Sequence, residues 1–441
     1  MREIKKIKMI ILGDGMSDFA YEIDGDGKKQ ATETPLTEAR TPVMDALAPR
    51  SRIGLVKTVP DGMKPGSDIA NLSVMGYAPQ KYYTGRSPLE AVSIGINMKD
   101  GDIALRCNLV TLSDEPDFGE KRMEDYGAGE IETDKAHILI EDFSRHLAQN
   151  GFLRLGDFLK NDSEKCRKSE NTDPRFFGEC FTFYGGVSYR NCLIVSGGRN
   201  GTEYTPPHDI SGKKIGAHFP RGLYGRIFKL ITEESYKFLS AHGINAKRIE
   251  RGLNPANSVW LWGEGKKPSL DDFYKLTGRR GAVISAVDLI KGIGIAAKMR
   301  VYKVDGATGT VHTNFAGKAD AALKAADEGC DFVYLHIEAA DESGHHGNRA
   351  EKILSIEKID WVIEQVKDGL DKRNTAYTLM ILPDHPTPVA TRTHSADPVP
   401  YMIYDSEKNL ANGIEKYCER TAEQGEFAAS GTELLRMFLS I

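Results

Sequence analysis

The chain lacks the marks of a secreted, membrane or nucleic-acid-binding protein. Its six cysteines (Cys107, Cys166, Cys180, Cys192, Cys330, Cys418) are scattered, with no CxxC pair. That spacing excludes a disulfide framework and fits reduced thiols in a cytoplasm. There is no excess of basic charge. The net charge is −5, so no broad positive field recruits nucleic acid or a membrane surface. Long hydrophobic runs are absent too. The N-terminal "MREIKKIKMIILGDG" begins basic, but its apolar run is only "MIIL". That is too short for a signal peptide or a membrane span, and reads instead as a buried strand. No internal repeat, low-complexity segment or Walker-type phosphate loop is present. The stretch "KGIGIAAK" superficially matches a dinucleotide loop, but no clear strand precedes it and no acidic residue follows at the right distance. A nucleotide cofactor is therefore not expected.

What is there is a soluble globular mixture, 40% apolar and 27% charged. At 441 residues the chain is too long for one ordinary core, so two domains are expected. Three apolar runs end in acidic or histidine-bearing turns: "IKMIILGDG" at Asp14, "DFVYLHIEAAD" at Asp341, and "AYTLMILPDH" at Asp384 and His385. Near-continuous apolar strands belong to a parallel sheet covered on both faces. "NRAEKILSIEKIDWVIEQVKDGLDKR" has helical apolar spacing and makes the last two runs a strand–helix–strand unit. Ligands collect at the carboxyl ends of strands in such sheets, so these three distant turns can meet. Residues 90–280 look different. They hold charged, turn-rich segments at 113–135 and 157–180, with strand-like "FTFYGGVSYRNCLIV" and "NSVWLW" between and after them. They read as a domain inserted between 1–90 and 280–441.

The chemistry concentrates in "LHIEAADESGHHG", residues 335–347. Asp341 and His345 are four apart, so one helical turn or a tight loop puts both on one face. His394 follows in "TRTHSADPVP", and the glycines of "GDG" around Asp14 let backbone approach an ion closely. Any one of these has an ordinary structural explanation; all five sites together do not. Mixed histidine and aspartate donors without thiolate suit Mn²⁺, Zn²⁺ or Fe²⁺. His336, Glu338 and His346 stay outside the ligand set, one of them as an alternative or supporting group. Ser67, in "PGSDIANLSVMGY", opens an apolar-periodic segment. It is a helix cap on one reading. On the other it is a nucleophile at a helix start, where a phosphoryl group meets backbone N–H groups and the positive dipole end. A metal site beside it favours the second, because a metal can ionise a serine hydroxyl.

These stretches, with "ILGDGMSD", "YYTGRSPLEA", "RCNLVT", "YRNCLIV", "PPHDISGK", "SAVDLIKGIG", "LPDHPTP" and "RTHSADPVPYMIY", occur in an order that resembles the cofactor-independent phosphoglycerate mutases. The likeness is to the branch best known from archaea, within the alkaline phosphatase superfamily, and runs nearly end to end. It implies an α/β fold: a phosphatase-like metal domain with a mostly parallel central sheet, plus a smaller inserted α/β domain that binds substrate. It implies two divalent metals, Mn²⁺ or Zn²⁺ foremost, one on Asp14, Ser67, Asp384 and His385 and the other on Asp341, His345 and His394. Three aspartates and a serine alkoxide carry four negative charges, which two divalent cations balance; without cations such a cluster repels itself.

The resemblance also implies a small anionic phosphorylated substrate, converted between 3-phosphoglycerate and 2-phosphoglycerate through phosphoserine at Ser67, with no 2,3-bisphosphoglycerate. Arg106, Arg190 and Lys291 are the foremost candidates to hold it, followed by Arg86 and His208, with Asp209 as an acid–base group. The alternatives are a metal-dependent phosphomonoesterase, a mutase for another small phosphorylated substrate, or a non-catalytic binding protein on the same scaffold. Oligomeric state is not legible.

Overall fold

A computed structural model describes residues 6–23, 29–160 and 174–441. Cys166 and much of the charged segment 157–180 lie outside the described residues. The chain divides into two compact units, residues 1–83 with 269–441 and residues 84–268; the boundaries expected from the sequence were near 90 and 280.

The first unit is built on an eight-stranded sheet. In spatial order its strands are Arg300–Tyr302, Gly281–Ile284, Phe332–Ile337, Ile7–Gly13, Tyr377–Leu382, Val399–Asp405, Arg52–Val56 and Glu426–Ala428. Only Val399–Asp405 runs against the others. The three apolar runs singled out above are the adjacent central strands, with Ile7–Gly13 paired in parallel to both neighbours. Every residue of the three is buried, as strands covered on both faces require. The long helix Arg349–Lys372 starts at an Asn348 cap whose side chain accepts from Glu351 N–H. It buries Ile356, Ile359, Ile363, Val366 and Leu370 against Met9, Ile11, Leu335 and Ile381. The glycines of "KGIGIAAK" fall inside the helix Asp288–Ala296. Contrary to the sequence expectation, a strand, Gly281–Ile284, does precede it. The glycines are not at a strand–helix turn: a Cβ on Gly294 would stand 2.8 Å from Val283, so they serve close packing.

The second unit is an antiparallel sheet in the order Ser258–Lys266, Ile103–Leu112, Arg190–Ser196, Cys180–Val187, with Met123–Asp125 paired to Ile103–Leu112. One face buries Leu105, Cys107, Leu109, Leu193, Val259 and Leu261 beneath the helices Thr133–Gln149 and Gly225–Ser240. The other carries Arg106 and Asn108 at alternate positions. The described cysteines are free thiols. No helix among the described residues is long and apolar enough to cross a membrane.

Candidate functional site

Three neighbouring parallel strands deliver their following turns to one end of the first sheet. Asp14 follows Ile7–Gly13, Asp341 sits in the short helix Ala339–His345 after Phe332–Ile337, and Asp384-His385 follow Tyr377–Leu382. Gly15 has φ +63, and a Cβ there would stand 2.6 Å from Asp341; only glycine lets the first turn approach the second so closely.

Two groups of donor atoms form. Asp14, Asp384 and His385 make one; Asp341, His385 and His394 make the other. His385 Nε2 lies 3.6 Å from Asp14 Oδ1 and 3.3 Å from Asp384 Oδ2. His394 Nε2 is 3.4 Å from Asp341 Oδ1, and His345 Nε2 is 3.3 Å from Asp341 Oδ2 and 2.9 Å from His394 Nε2. All six candidate ligands thus converge, with His385 facing both groups. Ser67 joins them, its Oγ 3.2 Å from His385 Nε2. It is the first residue of the helix Ser67–Val74, whose cap position is Gly66, and no side chain caps that end. The hydroxyl is turned toward the site instead.

The electrostatics of this cluster are unbalanced. Burial, with Asp384 and Asp341 alongside, pushes the Asp14 carboxyl well above its ordinary range. Asp14 Oδ1 is buried without a hydrogen-bond partner. Burial also opposes ionisation of Asp341, but hydrogen bonds from His345 and His394 outweigh it and hold that carboxyl well below the usual range. The bond to Asp341 in turn raises His345 to about 9, while burial lowers His385. An orphaned buried carboxylate oxygen among mixed oxygen and imidazole donors is what a divalent cation would satisfy, so the residues fit such an ion.

Each aspartate is also held from behind, by residues that were not candidates from the sequence or were set aside there. His336, fully buried and lowered to about 3 by burial, shares a hydrogen bond between Nε2 and Asp14 Oδ2 at 2.9 Å and another between Nδ1 and Ser285 Oγ at 3.2 Å. Asn71 Nδ2 donates to Asp384 Oδ2 at 2.8 Å, and Thr387 Oγ1 donates to Asp341 Oδ1. The fully buried Lys352 donates to Ser17 O, Asp18 Oδ2 and Thr387 O, tying the Asp14 turn to the Asp384 turn. His346 is exposed. Lys291, on the helix Asp288–Ala296, pairs with Asp288 at 2.8 Å.

The second unit gathers cations. Arg106 forks onto Glu90 through Nε at 2.7 Å and Nη2 at 2.6 Å, and Arg86 Nε donates to the same carboxylate at 2.8 Å. Despite burial, the two guanidinium groups hold Glu90 down to about 2. Arg106 lies over the Trp262 ring and Arg190 over Tyr189. His208 meets Trp262 edge-on, and its neighbour Asp209 is 3.6 Å away. Burial, with Arg106 and Arg86 nearby, lowers His208.

A mostly parallel sheet with carboxylates and imidazoles at its strand ends, with an antiparallel α/β unit inserted in the chain, defines a two-unit α/β fold of the kind metal-dependent enzymes use. Residues 48–155 and 168–245 match the family model for 2,3-bisphosphoglycerate-independent phosphoglycerate mutase. A Methanosarcina mazei protein of that name is 42% identical over 419 residues, 94% of this chain and 95% of its own. The solved structure of a Pyrococcus horikoshii protein superposes with a TM-score of 0.73 at 25% identity, covering 99% of this chain and 97% of that one. The cofactor-independent phosphoglycerate mutase of Thermoplasma acidophilum shares the fold, with a TM-score of 0.58 at 23% identity and 99% coverage of both chains. The chain belongs to the 2,3-bisphosphoglycerate-independent phosphoglycerate mutases, an isomerase family.

Proposed function

We propose that this enzyme interconverts 3-phosphoglycerate and 2-phosphoglycerate through a phosphoserine at Ser67, without 2,3-bisphosphoglycerate. The observation that carries this reading is the placement of Ser67: its hydroxyl leaves the cap role unfilled and lies against His385, beside the unpartnered Asp14 oxygen. Asp14, Ser67, Asp384 and His385 would hold one divalent cation, and Asp341, His345 and His394 a second. Mn²⁺ and Zn²⁺ suit the oxygen and imidazole donors. When bound, such cations favour the serine alkoxide and neutralise phosphoryl oxygens.

Ser67 Oγ forms a bond to phosphorus as the bond from phosphorus to the glycerate 3-oxygen breaks. That oxygen takes up a proton, with Asp209 as the donor. Glycerate stays bound and turns. Its 2-hydroxyl gives up a proton to the same group and takes the phosphoryl back, releasing Ser67. Arg106, Arg190, Arg86 and His208 hold the anionic groups of the substrate, as guanidinium forks suit carboxylate and phosphate, and Lys291 adds a point charge. The activity places the enzyme in glycolysis and gluconeogenesis, in the cytoplasm where its free thiols stay reduced. The test is an assay of 3-phosphoglycerate with no 2,3-bisphosphoglycerate added, following 2-phosphoglycerate and inorganic phosphate together. Formation of 2-phosphoglycerate as the main product is expected; phosphate as the main product would make the enzyme a phosphomonoesterase.

A further inference from the structure

Asn71 lies one turn beyond Ser67 on the same helix and is fully buried. Its amide has every useful group engaged. Nδ2 donates to the Ser67 carbonyl and to Asp384 Oδ2, both at 2.8 Å. Oδ1 accepts from the hydroxyl of Tyr334 at 2.6 Å. Tyr334 is itself fully buried, on the central strand Phe332–Ile337. The orientation of the amide is therefore not free. A hydroxyl whose proton is spent on Oδ1 forces the NH₂ toward Asp384 and Ser67. Burial raises the Tyr334 phenol well above its ordinary value, and Asp384 and Asp14 add to this, so it stays a donor.

No side chain caps the Ser67 helix at Gly66; in its first turn Asp68 accepts from Ile69 N–H and from the Tyr83 hydroxyl, neither of them on the sheet. Asn71 supplies a hold at the atoms where it matters: the backbone of Ser67 and a carboxylate beside it. We infer that the Tyr334–Asn71 pair is a positioning device for the phosphoryl-transfer reaction, which sets the nucleophile's helix at a fixed distance from Asp384 and keeps Asp384 Oδ2 aimed. This rests on the reading of Ser67 as the nucleophile. Residues that hold a ligand from behind typically matter by ~10–100-fold in metal affinity or rate. A misplaced nucleophile slows the chemical step and leaves binding of substrate groups by other residues intact.

The test uses the full-length holoenzyme and three variants: Asn71→Leu, which keeps size and loses the amide; Tyr334→Phe, which removes one hydroxyl; and the double variant. Tyr334→Phe keeps the proposal testable if Asn71→Leu does not fold. Expected results are a fall in kcat of ~10–100-fold for Asn71→Leu and ~5–10-fold for Tyr334→Phe with KM nearly unchanged. Mn²⁺ affinity measured by calorimetry should weaken in parallel. The double variant should be no worse than Asn71→Leu, since Tyr334 acts through Asn71. A merely structural role would lower the melting temperature and leave kcat and Mn²⁺ affinity of the folded protein at wild-type values; that result overturns the proposal. Rapid quench of wild type with labelled 3-phosphoglycerate separates the two claims. No label on Ser67 removes the nucleophile reading and this inference with it. Label on wild-type Ser67, with unchanged kcat and Mn²⁺ affinity in the variants, removes the positioning role alone.

Discussion

Asp14 and Glu90 are carboxylates set among other charged groups, and their protons sit at opposite ends of the scale. Burial opposes ionisation of both. Asp14, in the first unit, has Asp384 and Asp341 for neighbours and is pushed well above its ordinary range. Glu90, in the second, has Arg106 and Arg86 and is held at about 2. The difference shows what each cluster still needs. Three aspartates meet three histidines, and one carboxylate oxygen is left without a partner, which a divalent cation would satisfy. Two guanidinium groups share one carboxylate, so this cluster is locally positive where the first is negative.

Breaking the first cluster should have the largest effects. Ser67→Ala removes the proposed nucleophile and leaves the helix cap at Gly66 untouched, so turnover should fall by ~10⁴-fold or more with the melting temperature nearly unchanged. Near-normal turnover in that variant would exclude Ser67 as the nucleophile. Removing divalent ions with a chelator should abolish activity, and Mn²⁺ or Zn²⁺ should restore it. Added metal at ~1,000 times its Kd should also stabilise the fold by ~4 kcal/mol, read as a rise in melting temperature. No rise on adding either ion would mean the aspartate cluster is not a cation site.

The second cluster should respond differently. Arg106→Ala and Arg190→Ala should raise KM by ~10–100-fold with a smaller effect on kcat, since each would lose its proposed charge-assisted contact to substrate, about 1.5–3 kcal/mol. Arg106→Ala should also destabilise the fold by removing the two-pronged partner of buried Glu90 and leaving it Arg86 alone; Arg190→Ala leaves that pairing intact. The smallest effect is in stability against pH. The folded Glu90 pKa lies below its ordinary 4.5, so the unfolded chain binds the extra proton and stability rises with pH across that interval. The Glu90 contribution is complete above about 4.5 and is lost as pH falls toward about 2. Glu90→Gln should therefore be less stable than wild type at pH 6 by on the order of 2 kcal/mol. The gap should close in acid; a gap that stays constant to pH 2.5 would mean that Glu90 charge is not its source.

The convergence of the site was legible because its aspartates lie shortly after three apolar runs, Asp341 inside the helix that follows its strand. An unbroken run such as "MIIL" or "TLMIL" suits a fully covered strand, and the turn after such a strand lies at a sheet end. The supporting residues left no such trace. Asn71 looks like any polar residue in an amphipathic helix, and Tyr334 like one more aromatic in a core strand. Lys352 is spaced like a solvent-facing lysine, yet is wholly buried on three oxygens. Their roles come from which strands lie side by side, and local pattern does not encode that. Arg106 was legible as a cation in the insert. Its bidentate hold on Glu90, 16 residues earlier, was not, because it depends on how the helix Arg86–Ser93 packs on the strand Ile103–Leu112.

The most direct test of the account is a single-turnover experiment with 3-phosphoglycerate labelled in its phosphoryl group and no 2,3-bisphosphoglycerate present. The reaction is quenched at successive times, and label is followed on the Ser67 peptide, in 2-phosphoglycerate and in inorganic phosphate. The account predicts that label appears on Ser67, decays, and reappears in 2-phosphoglycerate with little free phosphate. Label that never reaches Ser67, or that leaves it mainly as inorganic phosphate, would contradict it.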